Sequence, residues 1–454
     1  MGRWVVGGMQ AERTAVDVEA VTEQSVRAMR RQDTVTPISR PGVLTAVGLF
    51  LLALSATPQP AVAEDWPQWR GPGRDGVSTE TGLADRWPAG GPPLLWRIDG
   101  LGEGYGTVAV VEGSLYVQGT RGGRSLVFTL DASDGSVRWE RELGSRLRDS
   151  RGNGPRGTPT VAGDSLYALT GVGDLARIRL SDGNVAWQRN ILRDFGQRNI
   201  SWGISESPLI EGDWVIVMPG GDGGAIAALD RETGATVWTS SGLTDRAGYS
   251  SLIAVDLEDG GEPLRAIVGF TARAGVGVRA SDGELLWHYR EPANRTANAA
   301  TPICADGLAF YTSDYGTGGG ALRVRVAGDN VSTGQAWFQS RLRNHHGGVV
   351  LHEGHLYGFF GSALACVDFE TGETVWRDRS VGKGSLTLAD GKLFLLGERH
   401  LAGLAEVTPD GYVELGRFDV DNRGRPSWAH PVVSNGVLYI RNWDELLAYD
   451  VSSP

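Results

Sequence analysis

Short apolar runs, each opened by a Gly or Asp, recur along the chain. They read GSLYV at 113–117, DSLYA at 164–168, DWVIV at 213–217, GLAFY at 307–311, GHLYG at 354–358, GKLFL at 391–395 and GVLYI at 436–440, with PLRAIVGF at 263–270 filling one gap. Each is too short for a helix and is bounded by turn residues, so each predicts one buried strand of a hairpin. A second phrase recurs independently: an Asp-Gly or Thr-Gly turn followed within four residues by Trp. It places Trp139, Trp187, Trp238, Trp287, Trp337 and Trp376 at spacings of 39 to 51 residues. PDGYVEL at 409–415 is a degenerate copy with Leu415 in the Trp place. Trp96, in PPLLWRI, has the Trp without the turn, and ELLAYDVSSP at 445–454 has the strand without the Trp. Together those two ends make an eighth copy.

A period of this length, with four short strands in each unit, predicts an all-β, eight-bladed β-propeller of four-stranded antiparallel blades. In the second unit, TPTVAG is the inner strand, SLYALTG the second, DLARIRL the third and AWQRN the outer one. The split eighth copy predicts closure: the strand at Trp96 completes the last blade beside residues 445–450, so no long sheet edge is left open. The Gly turn between the third and fourth strands needs φ > 0. The Trp that follows falls on a fixed outer-strand position, where it packs against the neighbouring blade. That makes the repeated Trp residues structural cement.

Composition supports a turn-rich β protein: 66 of 454 residues are Gly and 15 are Trp. The formal net charge of −11 argues against a nucleic-acid partner. At the N-terminus, the uncharged run VLTAVGLFLLAL at 43–54 follows Arg40 and precedes Ala61-Val62-Ala63. This is a secretory signal peptide with cleavage expected after Ala63, so residues 1–63 are an extension plus leader and 64–454 the propeller domain. Met29, before Arg30-Arg31, is an alternative initiator to Met1. The mature protein is expected in the periplasm or secreted, with no membrane span. Cys304 and Cys366 form no CxxC; they are two separate thiols or, in an oxidising compartment, a disulfide.

The repeat, together with DWPQWRGPGRDG at 65–76 and LLWRI at 94–98, resembles the pyrroloquinoline quinone (PQQ) repeat family over residues 65–454. That superfamily holds both quinoprotein dehydrogenases and non-catalytic scaffolds of the BamB type. The resemblance therefore implies two readings. One is an exported, non-catalytic scaffold that binds an envelope protein or a small ligand. The alternative is a periplasmic PQQ-dependent alcohol dehydrogenase. The dehydrogenases carry adjacent cysteines over the quinone and a Ca2+ held by Glu, Asn and Asp; this chain has no adjacent cysteines.

Function in a propeller concentrates in the segments that lead into the inner strands, because every blade delivers one to the axis. Here they are 152–159, 201–208, 245–251, 294–302, 344–348 and 425–431. The candidate ligand-binding residues they carry are Arg156, Trp202, Glu206, Asn298, His346, Trp428 and His430. Glu206, Asn298 and Arg156 would suit PQQ with calcium. No matching Asp follows in the next blade, so no cofactor is the expectation and no catalytic residue is assigned. A metal is not expected either, because His345 and His346, adjacent in extended chain, would point to opposite sides.

Overall fold

The computed structural model describes residues 63–258 and 263–453, so the leader lies outside the described residues. Eight antiparallel sheets follow one another around a ring: blades 1 to 8 at 109–145, 160–190, 209–239, 253–289, 303–339, 349–378, 384–419 and 432–450. The last sheet has three strands of its own and takes its outer strand, Leu94–Ile98, from the start of the chain. Trp96 pairs with Ala448 and Ile98 with Leu446, as the split repeat predicts. Arg97 strengthens the closure through an ion pair of 2.7 Å with the buried Glu445. Among the described residues the one α-helix is the single turn Ile191–Asp194. No helix there is long and apolar enough to cross a membrane.

The turn-and-Trp phrase has a packing reason. The ring of Trp96 lies against Gly135 in the turn of blade 1, and Trp139, Trp187, Trp238 and Trp337 lie likewise against Gly183, Gly234, Gly283 and Gly372 of the blade that follows. A Cβ at Gly372 would come within 2.4 Å of the Trp337 ring, and φ there is +74°. Gly is thus required twice over, by backbone conformation and by contact. The indoles of Trp96, Trp139, Trp187, Trp337 and Trp376 each donate to a backbone carbonyl of the next blade, at Ala132, Leu180, Arg231, Phe369 and Thr408. A β-bulge one residue before each Trp turns the ring toward that neighbour. Trp337 is buried and Trp376 half-buried. Trp337→Ala should therefore cost about 3–5 kcal/mol in urea unfolding and Trp376→Ala less.

Blade 7 differs from the expectation. Its turn is longer, Leu415 is the bulged residue, and Gly416 takes the register position that Trp holds elsewhere. Trp87, from the N-terminal segment, fills the space: its backbone N–H donates to the Leu415 carbonyl, and a Cβ on Gly416 would lie 2.7 Å from it. The ring count is complete because a distant segment supplies the missing side chain.

Residues 64–78 form a strap across the central channel. Trp66 exchanges two backbone hydrogen bonds of 2.8 Å with Val110 of blade 1, and the Pro67 carbonyl accepts from Val161 of blade 2. Arg74 donates to the carbonyls of Ser207 and Pro208 entering blade 3. Arg70 donates to Val349 of blade 6 at 2.6 Å, and Val77–Ser78 pairs in parallel with Leu388–Ala389 of blade 7. A segment bonded to inner strands on opposite sides of the ring closes the channel between them. Both arginines are buried, and burial lowers their pKa values to about 10 for Arg70 and about 9 for Arg74.

Candidate functional site

Above the strap lies a cavity of about 540 Å3. Trp69 of the strap forms part of its wall, held by an indole hydrogen bond of 3.0 Å to Thr301 of blade 5. All six segments singled out in the sequence reach it. They contribute Arg156, Trp202 with Ser205, Tyr249 with Ser251, Thr296 with Ala297 and Ala299, His345 with His346, and Trp428 with His430. Five of the seven candidate residues therefore share one cavity: Arg156, Trp202, His346, Trp428 and His430.

Glu206 and Asn298 do not line it. Glu206 is 4% exposed; its Oε1 accepts the backbone N–H of Met218 at 2.7 Å. Burial, only partly offset by that N–H and by Arg74, pushes its carboxyl up to about 8. Asn298 is consumed by the backbone: Oδ1 accepts from Asn294 N, and Nδ2 donates to the carbonyls of Thr271 and Asn294. Ser205 takes the wall position ahead of Glu206, and Asn298 sits between Ala297 and Ala299, which both line the wall together with Thr296.

Residues that the sequence did not single out complete the wall: Trp69, Tyr105, Arg151, Asp314, Tyr315 and Lys383. Tyr105 and Lys383 sit on the lead-ins to blades 1 and 7, so extending the lead-in count to all eight blades would have found them. The rings of the wall form a continuous series, with Tyr315, His345, His346 and Trp428 in successive contact. Trp202 lies 5.6 Å from Tyr249 and 6.5 Å from Tyr315, the latter pair nearly parallel. Tyr105 lies 4.7 Å from Trp428, and Trp69 lies 4.5 Å from His430. Burial pushes the Tyr105 hydroxyl up to about 12.

Two of the cations of the wall, Arg156 and Lys383, are already engaged. Arg156 lies 3.6 Å from Asp149 and donates to the carbonyls of Gly152 and Gly154. Burial lowers its pKa. Lys383 donates to His345 Nδ1 at 2.9 Å and lies 3.3 Å from Glu398. His346 Nε2 lies 2.9 Å from the same Glu398 oxygen. Burial opposes the charge on Glu398, but His346 and Lys383 outweigh it and hold the carboxyl at about 2. Burial, with His346 and Lys383 adding to it, pushes His345 down to about 3; burial and Arg70 do the same to His430. Both rings are neutral at pH 7.

His345 and His346 do not diverge as extended neighbours would. The chain bends at 346–347, their ring centroids are 4.7 Å apart, and with Glu398 they bring three ligand-type atoms within 4.8 Å. The ammonium of Lys383 already bridges His345 and Glu398 there, so the protein supplies its own cation at that corner.

The cavity does not fit PQQ with calcium. The acid and amide that would hold the ion, Glu206 and Asn298, lie behind the wall and outside its lining; Asn298 is bonded to backbone, and of the Glu206 oxygens Oε1 accepts from Met218 while the buried Oε2 has no partner. Asn344, in the place of the missing Asp, donates to the carbonyls of Gly348 and Phe359. Cys304 and Cys366 stand as free thiols in blades 5 and 6, and burial pushes Cys304 up to about 12.

The family model described as outer membrane protein assembly factor BamB matches residues 89–204 and 201–377. A BamB of that name from Burkholderia pseudomallei (strain K96243) is 27% identical over 55% of this chain, and the match spans 63% of that relative's length. Among solved structures, BamB from Moraxella catarrhalis aligns with a TM-score of 0.56 at 15% identity, covering 79% of this chain and 99% of that one. Quinohemoprotein alcohol dehydrogenase from Comamonas testosteroni aligns with a TM-score of 0.50 at 12% identity, covering 86% and 81%. At such identities the two structural likenesses are likenesses of fold.

Proposed function

This chain belongs to the BamB family of PQQ-like repeat propellers, and on that premise we propose that it is an exported, non-catalytic scaffold of the cell envelope. Its partner would be a protein of outer-membrane assembly. The observation that carries this reading is the placement of Glu206 and Asn298 behind the cavity wall, which leaves the funnel lining without the donor set a quinone-bound calcium needs. The blade rims offer a surface for the scaffold role. Each outer strand ends its sheet, and Leu94, Leu95, Val137, Val237 and Val375 on those strands are exposed. Free strand edges with apolar side chains suit an added extended segment of another protein.

Removing the gene from its host should lower the abundance of β-barrel proteins in the outer membrane. Purified protein given PQQ and Ca2+ should show no dye-linked alcohol oxidation. Turnover that Glu206→Ala abolishes would instead establish the quinoprotein reading.

Export adds a separate expectation. Cleavage after Ala63 would turn the backbone N of Glu64, which lies 3.1 Å from Oε1 of the buried Glu80, into an α-ammonium paired with that carboxylate. N-terminal sequencing of the exported protein should read Glu64-Asp65-Trp66. A chain recovered with residues 1–63 intact would contradict both the compartment and the pairing.

A further inference from the structure

Two charged side chains of the cavity wall, Arg151 and Asp314, have no hydrogen bond or ion pair among the described residues. Both are fixed through their backbones. The Arg151 N–H donates to Asp149 Oδ1 at 2.8 Å and its carbonyl accepts the Tyr105 hydroxyl at 2.8 Å, while the guanidinium is exposed. The Asp314 carbonyl accepts from Thr317 N at 3.3 Å, and its side chain is half-buried. Both charges act on one hydroxyl, that of Tyr315: burial raises its pKa, Asp314 adds to the rise and Arg151 opposes it.

Tyr315 is 47% exposed and lines the same wall. Its hydroxyl lies 2.9 Å from His345 Nε2, and Lys383 lies 2.9 Å from His345 Nδ1 on the other side of the ring. An ammonium only donates, so Nδ1 accepts and the ring proton sits on Nε2. That N–H donates to the Tyr315 oxygen, which leaves the Tyr315 hydrogen to donate elsewhere. The wall thus offers an accessible hydroxyl donor together with one cation and one carboxylate that nothing in the protein pairs.

Arg151 and Tyr315 are exposed and Asp314 half-buried, so water reaches all three in the free protein. A ligand that fills the cavity removes that water, and an ionised group stripped of it needs a counter-charge. That requirement sorts the chemical classes. A neutral ligand supplies no charge. A carboxylate or phosphate alone pairs with Arg151 and meets Asp314 as a like charge; an amine alone does the reverse. Arg156 and Lys383 do not tip the balance toward an anion, because Asp149 and Glu398 already pair with them. The interior of a peptide carries neither charge. A free amino acid carries both. The rest of the lining is largely aromatic, with Trp69, Tyr105, Trp202, Tyr249 and Trp428, and a cavity of about 540 Å3 has room for a ring on the side chain.

We infer that the funnel cavity binds a free amino acid with an aromatic side chain, its carboxylate on Arg151 and the Tyr315 hydroxyl and its ammonium on Asp314. This site goes beyond the scaffold reading and does not rest on it, so its failure would leave that reading intact.

Calorimetric titration of the chain from Glu64 onward with L-phenylalanine and L-tryptophan tests the inference. Phenylacetate and phenethylamine serve as comparisons that keep the ring and lose one charge each. At least one of the amino acids should bind saturably at millimolar concentration or tighter, and the two comparisons about tenfold more weakly or worse. Arg151→Gln should weaken amino-acid binding about tenfold or more and abolish the preference over phenethylamine. Asp314→Asn should weaken it likewise and abolish the preference over phenylacetate. Tyr315→Phe keeps the ring and loses the donor, so it should weaken binding about tenfold, the worth of one hydrogen bond to a charged group, without lowering Tm. Three results would overturn the inference: no saturable heat with either amino acid up to its solubility limit; phenylacetate or phenethylamine binding as tightly as phenylalanine; or amino-acid binding that either Arg151→Gln or Asp314→Asn fails to weaken.

Discussion

A chain that begins at Leu101 is expected to yield no stable ring. It lacks the strand Leu94–Ile98, so the third strand of blade 8 loses its pairing, and Glu445, 0% exposed, loses Arg97. It also lacks Trp66, Trp87 and Trp96, which are 1%, 4% and 9% exposed. Each buried Trp removes roughly 150–250 Å2 from water, or about 4–6 kcal/mol at ~25 cal/mol/Å2. Three of them together rival the whole stability of an ordinary domain, ~5–15 kcal/mol. Circular dichroism and gel filtration should show an unfolded or aggregated chain. A synthetic peptide spanning 64–100, added in trans, should restore the fold. A truncated chain that melts at the temperature of the 64–454 protein would show that the strap and closing strand are ornaments on an already stable ring.

Glu206→Gln is expected to reshape stability against pH. The folded-state pKa of Glu206, about 8, lies above the ordinary 4.5, with burial as the main cause. Between those values the folded protein holds a proton that the unfolded chain releases, so stability falls as pH rises, by at most about 1.4 kcal/mol per pH unit. His345 and His430 act oppositely: their folded values, about 3 against 6.5, make stability rise as pH rises through that window. Gln mimics the protonated carboxyl. The variant should therefore lose about 3 kcal/mol less than the parent between pH 5.5 and 8 in urea unfolding. Parallel curves would mean that Glu206 is ionised in the fold, with Arg74 as a full counter-ion.

The ring was legible because its units repeat. Six Trp residues at spacings of 39 to 51 residues report the same junction six times; five follow a Gly turn, while Gly334 ahead of Trp337 lies inside the long strand Asn330–Gln339, whose hairpin turn is at 328–329. Where the junction is built differently, the phrase misleads: Leu415 has the right spacing, yet Gly416 takes the register position and Trp87 comes from more than 300 residues away. Nothing local to 409–416 encodes that contact. The strap was legible only as a family phrase, because its sheet pairing is two residues long and its anchors are arginines bonded to distant carbonyls. At the site, sequence located the segments and not the facing of individual side chains. A shift of one residue separates Ser205, on the wall, from Glu206, behind it. The bend at 346–347 breaks the alternation that would have sent His345 and His346 apart.

We propose that this propeller serves outer-membrane assembly without redox chemistry of its own. Quantitative proteomics of the outer membrane tests it most directly, in the host carrying the wild-type gene, the deletion, and the deletion complemented by Glu206→Gln. β-Barrel proteins should fall in the deletion and return with either gene. Unchanged β-barrel abundance in the deletion, together with loss of a PQQ-dependent alcohol oxidation that Glu206→Gln fails to restore, would contradict it.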